Sequence, residues 1–448
     1  MPATFPGVSR KWSIALAGLV AAVALGVLLA GGDDEQESSR TTRPADATVT
    51  VSLGERVQTR GSMNGFIHSL DDEAPPASRV APLAPRLWRS DGVRAPIDRA
   101  AAFGARYQLV LSDLWGYPQS DWNGRGPPWR DLGAWERFVR GTARAYRGRP
   151  VTWDIWNEPN DPGFWSGGRR RFFQVYSLAN HVLREELGGA VAIGGPSVSR
   201  YAPRWLRAFL DHCLAERCRL DFLAWHENLT PSDPLGSISV HLADGRVRFV
   251  EEPRYAAIGL RAIHINEYVG REDRHMPGEA VAYLQELERG GADLAARSCW
   301  SREDCSPAGL DGLLTPGGSP RAIWWTHRWY ADGVRSRVKS RSEDPAVAVL
   351  AGAPAPGGAH VLLGHVAPRG SGGRSRPKVI ELALEGLRSR GRAHLTIDRV
   401  ASAGEAPVPF PERMVQREVE LGTDPLRLVL PALGVHEAAL VRVSPLAE

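Results

Sequence analysis

The 448 residues, 43% hydrophobic and 24% charged, are enough for one large (β/α)8 unit of about 250 residues with a smaller domain beside it. The formal charge of +4 rests almost wholly on arginine, since lysine occurs only at Lys11, Lys339 and Lys378. These arginines are spread among acids, and no basic block interleaves with aromatics, which argues against a nucleic-acid partner.

Arg10 and Lys11 precede the 19-residue apolar run Trp12–Ala30, and Asp33, Asp34 and Glu35 follow it. That is a signal peptide or a signal-anchor helix over residues 1–32, with its basic flank cytoplasmic. Gly31-Gly32 makes a poor cleavage site, so an uncleaved anchor carrying an extracytoplasmic domain is favoured over a secreted protein. The only membrane contact expected is through this helix. Residues 33–47 are polar and rich in Ser, Thr and acids, and read as a disordered tether.

From Thr48 to Arg341, strand-like and helix-like runs alternate, the pattern of a parallel sheet with helices outside. Strands are expected at Gly61–Ile67, Ala84–Trp88, Tyr107–Leu111, Val151–Trp156, Val191–Gly194, Asp221–Trp225, Ala262–Glu267 and Asp293–Trp300. Eight is the number that closes a (β/α)8 TIM barrel. Helices are expected at Leu132–Tyr146, Phe172–Leu187, Ala202–Leu214, Gly278–Glu288 and Pro320–Tyr330. Residues 342–448 change to short alternating runs separated by Gly and Pro, at His360–Leu363, Val379–Leu384, His394–Ile397, Leu426–Leu430 and Ala438–Val443. They read as an appended antiparallel β-sandwich, which the Thr48–Leu53 run could join.

The four cysteines fall as two close pairs, Cys213 with Cys218 and Cys299 with Cys305, the pattern of two local disulfides in an exported protein. Neither pair has the two-residue spacing of a zinc site, and four buried thiols are the alternative.

The strongest chemical signal is Val151-Thr152-Trp153-Asp154-Ile155-Trp156-Asn157-Glu158-Pro159-Asn160, an apolar strand ending in polar and aromatic side chains. In a parallel barrel such an end opens onto the active-site face. A carboxyl at Glu158 beside Trp156 would keep its proton near neutral pH, as a general acid for a leaving glycosidic oxygen requires. Asn157 can aim its amide at a sugar 2-hydroxyl. The strand Ile263-His264-Ile265-Asn266-Glu267 likewise terminates in an acid, 109 positions on, an interval of three β/α repeats. That brings the two carboxyl groups to about 5 to 5.5 Å, the spacing at which Glu267 attacks the anomeric carbon as a nucleophile.

These strings resemble the clan A glycoside hydrolases, whose fourth strand ends in Asn-Glu-Pro, and more narrowly glycoside hydrolase family 39, which includes β-xylosidases and α-L-iduronidases. Ile193-Gly194-Gly195-Pro196 is similar to its fifth-strand turn, Asp221-Phe222-Leu223-Ala224-Trp225-His226 to its sixth strand, and Asn266-Glu267-Tyr268 to its seventh. The resemblance covers residues 60–335 and implies retaining hydrolysis, with an oligosaccharide, polysaccharide or glycoside as substrate. It implies a site-supporting role for Arg89, which on the residues alone could equally pair with Asp91 at the surface.

His226 is expected to line the site. The family often follows this His with an aromatic, whereas this chain has Glu227-Asn228. Glu227 is therefore either a third carboxylate at the mouth or a loop acid in water, and Tyr268 is the weak substitute for a tyrosine that would buttress the nucleophile. Trp300 is expected as a floor under the sugar, with Trp156 nearby. Arg86, Asp113 and Trp115, with Arg89, follow early strands as candidate ligands for hydroxyls or a substrate carboxylate. No phosphate loop, dinucleotide glycine pattern or metal-ligand cluster is present in the sequence, and the expected reaction needs no cofactor. Two other readings share these residues: a catalytically silent carbohydrate-binding barrel, and a transglycosylase using the same two glutamates.

Overall fold

A computed structural model of the chain describes residues 44–90, 96–112, 127–354, 357–370, 375–387 and 391–446. The run Trp12–Ala30, and with it the expected anchor, lies outside them, as do Asp91, Asp113 and Trp115. Among the described residues no helix is long and apolar enough to cross a membrane.

The first strand, β1 (Ala47–Arg56), belongs to the second of two sheets. The next eight are β2 (Gly65–Ile67), β3 (Leu87–Ser90), β4 (Arg106–Leu111), β5 (Val151–Ile155), β6 (Ile193–Val198), β7 (Phe222–Glu227), β8 (Ala262–Tyr268) and β9 (Leu294–Arg297). They close, in that order and all parallel, into a barrel. Every one falls within or beside a run read from the sequence. Short helices α1 (Ala77–Val80) and α2 (Ile97–Ala102) are followed by α3 (Leu132–Ala145), α4 (Arg169–Leu187), α5 (Pro203–Ala215), α6 (Ser237–Gly245), α7 (Pro277–Gly290) and α8 (Ala322–Val334).

Local chemistry sets these boundaries. The Asp131 carboxylate accepts from the Ala134 amide, 2.8 Å away, to cap α3. Trp135, Val139 and Ala143, each one turn apart, form its buried stripe. Both α5 and α7 begin on proline, which costs no hydrogen bond there, and Gly291 ends α7 in the left-handed region.

The remaining strands are β10 (Arg337–Ser342), β11 (Val347–Gly352), β12 (Ala359–His365), β13 (Ile380–Glu385), β14 (Gly391–Val400), β15 (Glu412–Leu421), β16 (Leu426–Val429) and β17 (Ala438–Pro445). With β1 they make a nine-stranded sheet in the order β15-β14-β17-β12-β11-β10-β1-β13-β16. It is mostly antiparallel, with β1 and β13 parallel. Strands from opposite ends, through Val419 and Leu428, share one core with Val49, Val51 and Leu53, so the sheet folds over on itself as a sandwich. Alternate side chains of the middle strands point the other way. Ala348, Leu350, Leu362 and Leu440 join the core of the barrel, while Val349, Ala351, Val361 and Val441 fill the sandwich.

Cys299 and Cys305 are bonded. The other expected disulfide is corrected: Cys213 and Cys218 are free and buried. Cys213 lies in the last turn of α5, where the Cys218 amide closes the helix end on its carbonyl at 2.8 Å. The two thiols hydrogen-bond to each other, and burial pushes Cys213 well up, suppressing the thiolate that disulfide formation requires.

Glycines let the barrel helix α7 pack closely on β12 of the second sheet. A Cβ at Gly364 of β12 would come 2.4 Å from the Gly278 carbonyl of α7 and 2.8 Å from Val281. Gly364→Ala is expected to cost about 1–3 kcal/mol by overpacking, read as a lower thermal midpoint. Gly236→Ala, where a Cβ meets nothing within 4 Å, should leave the midpoint almost unmoved.

Candidate active site

The polar residues of the barrel interior converge on Asp154, on β5 and fully buried. Its Oδ2 accepts from Arg89 Nε of β3 at 2.8 Å, Gln108 Nε2 of β4 at 3.1 Å and Asn266 Nδ2 of β8 at 2.9 Å. Its Oδ1 accepts from Ser197 Oγ of β6 at 2.6 Å. Below them His264 faces Gln108 Oε1 at 3.1 Å, and burial pushes its imidazole down to about 3. One carboxylate thus ties five of the eight strands at the level of the mouth.

Arg89, itself without solvent exposure, spends its other nitrogens above this point. Nη1 donates to Glu267 Oε1 at 2.9 Å and Nη2 to Asn157 Oδ1 at 2.8 Å. Glu158 follows β5 on a left-handed backbone, φ 48°, as does Trp156, φ 78°. Such conformations cost about 1–3 kcal/mol each and are held by their surroundings; here the Glu158 amide donates to the Ser197 carbonyl at 2.9 Å. On β7, His226 presents Nδ1 to Glu158 Oε1 at 2.8 Å and lies 3.6 Å from Glu267 Oε2.

Donor atoms of Glu158, His226 and Glu267 all lie within 4.8 Å of one another. The three could cup a cation, but the Arg89 guanidinium already supplies the positive charge at Glu267, which suits the cluster to moving a proton. Burial works to raise the Glu267 carboxyl. The pull of His226, Arg89 and His68 and the hydrogen bond from Asn228 outweigh it, so the group titrates below the ordinary carboxylate value. His68, just past β2, is pushed down to about 4 by burial and stays neutral near pH 7.

Residues 118–244 match the family model described as Glycosyl hydrolases family 39. The chain resembles that family. A β-xylosidase from Geobacillus stearothermophilus is 25% identical over 113 residues, which are 23% of this chain and 22% of that relative's length. Among solved structures, N2152 from Neocallimastix frontalis superposes with a TM-score of 0.71 at 20% identity, over 89% of this chain and 99% of that one. A monomeric β-xylosidase from Caulobacter crescentus does so with a TM-score of 0.65 at 16% identity, over 89% and 100%. The structural likenesses carry the fold.

Against the family 39 pattern, the structure brings Glu158, Glu267, Asn157, His226 and Arg89 together in one cluster. Three other expected site residues are elsewhere. Trp156 is fully buried against Trp135 and Trp165, because its left-handed backbone turns the indole out into the helix layer. Tyr268 is fully buried beside Tyr283, and its hydroxyl reaches only the Met63 carbonyl at 3.5 Å. A register shift in β8 between Ile265 and Glu267 is the cause: both Asn266 and Glu267 face the barrel, and Tyr268 is sent outward.

Glu227 is neither a mouth carboxylate nor a solvated acid. It is buried and turned away from the pair, accepting from Trp225 Nε1 at 2.7 Å and facing His241 Nδ1 at 3.0 Å. Burial opposes protonation of His241, but the Glu227 bond and charge prevail and raise it. Trp300 stands half-buried in the disulfide-closed loop after β9, its Nε1 on the Val269 carbonyl at 2.9 Å and the Arg271 guanidinium 6.0 Å from its ring. His68, Asp154, Asn228 and Ser298 were not singled out as site residues in the sequence.

Asp154→Asn removes the charge that balances Arg89 and should lower the unfolding free energy by about 3–5 kcal/mol, measured by urea unfolding. Ser197→Ala, which deletes one of four donors, should cost about 1 kcal/mol. A loss below about 1 kcal/mol for Asp154→Asn would mean that Arg89 does not depend on this carboxylate.

Proposed function

We propose that this protein is a retaining O-glycosyl hydrolase in which Glu158 is the general acid/base and Glu267 the nucleophile. The observation that carries the reading is the pairing of two carboxylates on strand ends β5 and β8 across one histidine, within 4.8 Å, with Glu267 held as an anion by its cationic surroundings. Retaining glycosidases work at about this separation, which leaves no room for a water between carboxyl group and sugar.

Glu267 attacks the anomeric carbon while Glu158 delivers a proton to the departing oxygen. The ester then removes the negative charge from Glu267, so Glu158, now a carboxylate, serves as base for the incoming water. Asn157, whose Oδ1 is held by Arg89, has its amide nitrogen free of that bond to meet the sugar 2-hydroxyl. His226 orients Glu158, and Trp300, in the loop after β9, is the candidate for an apolar edge under the sugar. The β-xylosidases among the relatives make a β-D-xyloside the first substrate to try, and the N-terminal apolar run supports an activity outside the cytoplasm.

Glu158→Gln should lose on the order of 10²- to 10⁴-fold on substrates with poor leaving groups, far less on activated aryl glycosides, with azide restoring turnover on the latter. Equal losses on both would remove Glu158 from the role. Glu267→Gln should be inactive on every substrate, and proton NMR of the first product should show the anomer of the substrate; the opposite anomer would overturn the retaining mechanism.

A further inference from the structure

Asn228 is a neutral side chain hydrogen-bonded to Glu267, and its own position is set from behind. Its Nδ2 donates to Glu267 Oε2 at 3.3 Å, and its Oδ1 accepts from Ser298 Oγ at 2.5 Å. Because the Glu267 carboxylate can only accept, the NH2 end of the amide is the one that faces it, and the carbonyl end is left to take the Ser298 hydroxyl. Ser298 is in turn set by its own amide, which donates to the Tyr268 carbonyl at 2.8 Å, one residue past Glu267. The chain at Asn228 is equally constrained: the preceding Glu227 is anchored backward on Trp225 and His241, and His226 touches the other carboxylate.

The two oxygens of Glu267 are held unequally. Oε1 takes a charge-assisted bond from Arg89 at 2.9 Å, whereas Oε2 has the longer amide bond and looks across to His226 and thus toward Glu158. We propose that Asn228, oriented by Ser298, is a positioning residue that aims Glu267 so that Oε2 attacks and Oε1 stays on Arg89. This rests on Glu267 being the nucleophile. In that step Oε2 forms the bond to the anomeric carbon and Oε1 becomes the ester carbonyl oxygen. The bond to the leaving oxygen breaks, and its electron pair takes the proton of Glu158. A neutral donor suits this position, since it steadies the anion without pairing so strongly that the attacking oxygen is quenched.

The test combines Asn228→Ala, Asn228→Asp and Ser298→Ala with the unsubstituted enzyme, each checked for folding by circular dichroism. A 2-deoxy-2-fluoro xyloside with a good leaving group serves as the probe. Peptide mapping should find the label on Glu267 in all four proteins, which tests the underlying reading separately. The trapping rate should fall on the order of 10- to 100-fold in Asn228→Ala and by a smaller factor in Ser298→Ala, where the amide can rotate. The Asn228 bond lowers the Glu267 carboxyl, so its removal should move the acid limb of the kcat/KM profile to higher pH, and a second carboxylate in Asn228→Asp should move it further. An unchanged trapping rate and acid limb in Asn228→Ala, with Glu267 still labelled, overturns the proposal. A label on another carboxylate overturns the assignment of Glu267 itself. Should Asn228→Ala fail to fold, Ser298→Ala decides alone by the same two readouts.

Discussion

A carboxylate sealed inside a barrel is tolerable only if its charge is matched and its lone pairs are filled, and Asp154 meets both conditions at once. The Arg89 guanidinium supplies the countercharge, while Gln108, Ser197 and Asn266 supply the remaining donors. Such an arrangement gives little net stability over an apolar core but a large penalty for any partial version of itself. Its use is geometric: the strands are held in one register at the mouth, and Arg89 is left with a single setting from which to reach Glu267 and Asn157. The polarity of the cluster thus begins one layer beneath it, in a residue that is itself fully buried.

The two carboxylates of the cluster were legible because each ends an apolar run, and in a parallel barrel the ends of such runs gather at one face. The layer below was not. Reading Asp154, Gln108 and Asn266 as partners needs the inward register of several strands together, and each of these residues taken singly looks like an ordinary polar position. Strict alternation also misleads at the places where the backbone departs from it. The bulge in β8 turns Glu267 inward and Tyr268 outward, and the left-handed conformation of Trp156 removes its indole from the mouth. The unusual Glu227-Asn228 pair was visible as a departure, but its division of labour, one side chain facing back and the other forward, is a matter of contacts.

The fold followed the same logic. All eight barrel strands carry a hydrophobic signal, whereas β10, β11 and β15 carry a misleading one. The polar string of β10 hides Arg337, buried on Glu288 at 2.9 Å. The six residues of β11 are buried on both faces, between barrel and sandwich, and so do not alternate. As an edge strand, β15 has most of its side chains in water. Cysteine spacing predicted the Cys299–Cys305 bridge and failed at Cys213 and Cys218, because proximity in sequence says nothing about whether a thiol can ionise where it is buried.

The position of β1 between β10 and β13 has a consequence for synthesis. A strand with one apolar face, made ahead of the barrel, finds its first neighbour only after the entire barrel has been translated, and its second later still. Throughout that interval both its edges are open to pairing with other chains. The nascent protein therefore passes through a stage in which its barrel can be complete while β1 is still waiting, and this is when a chaperone would have most to protect.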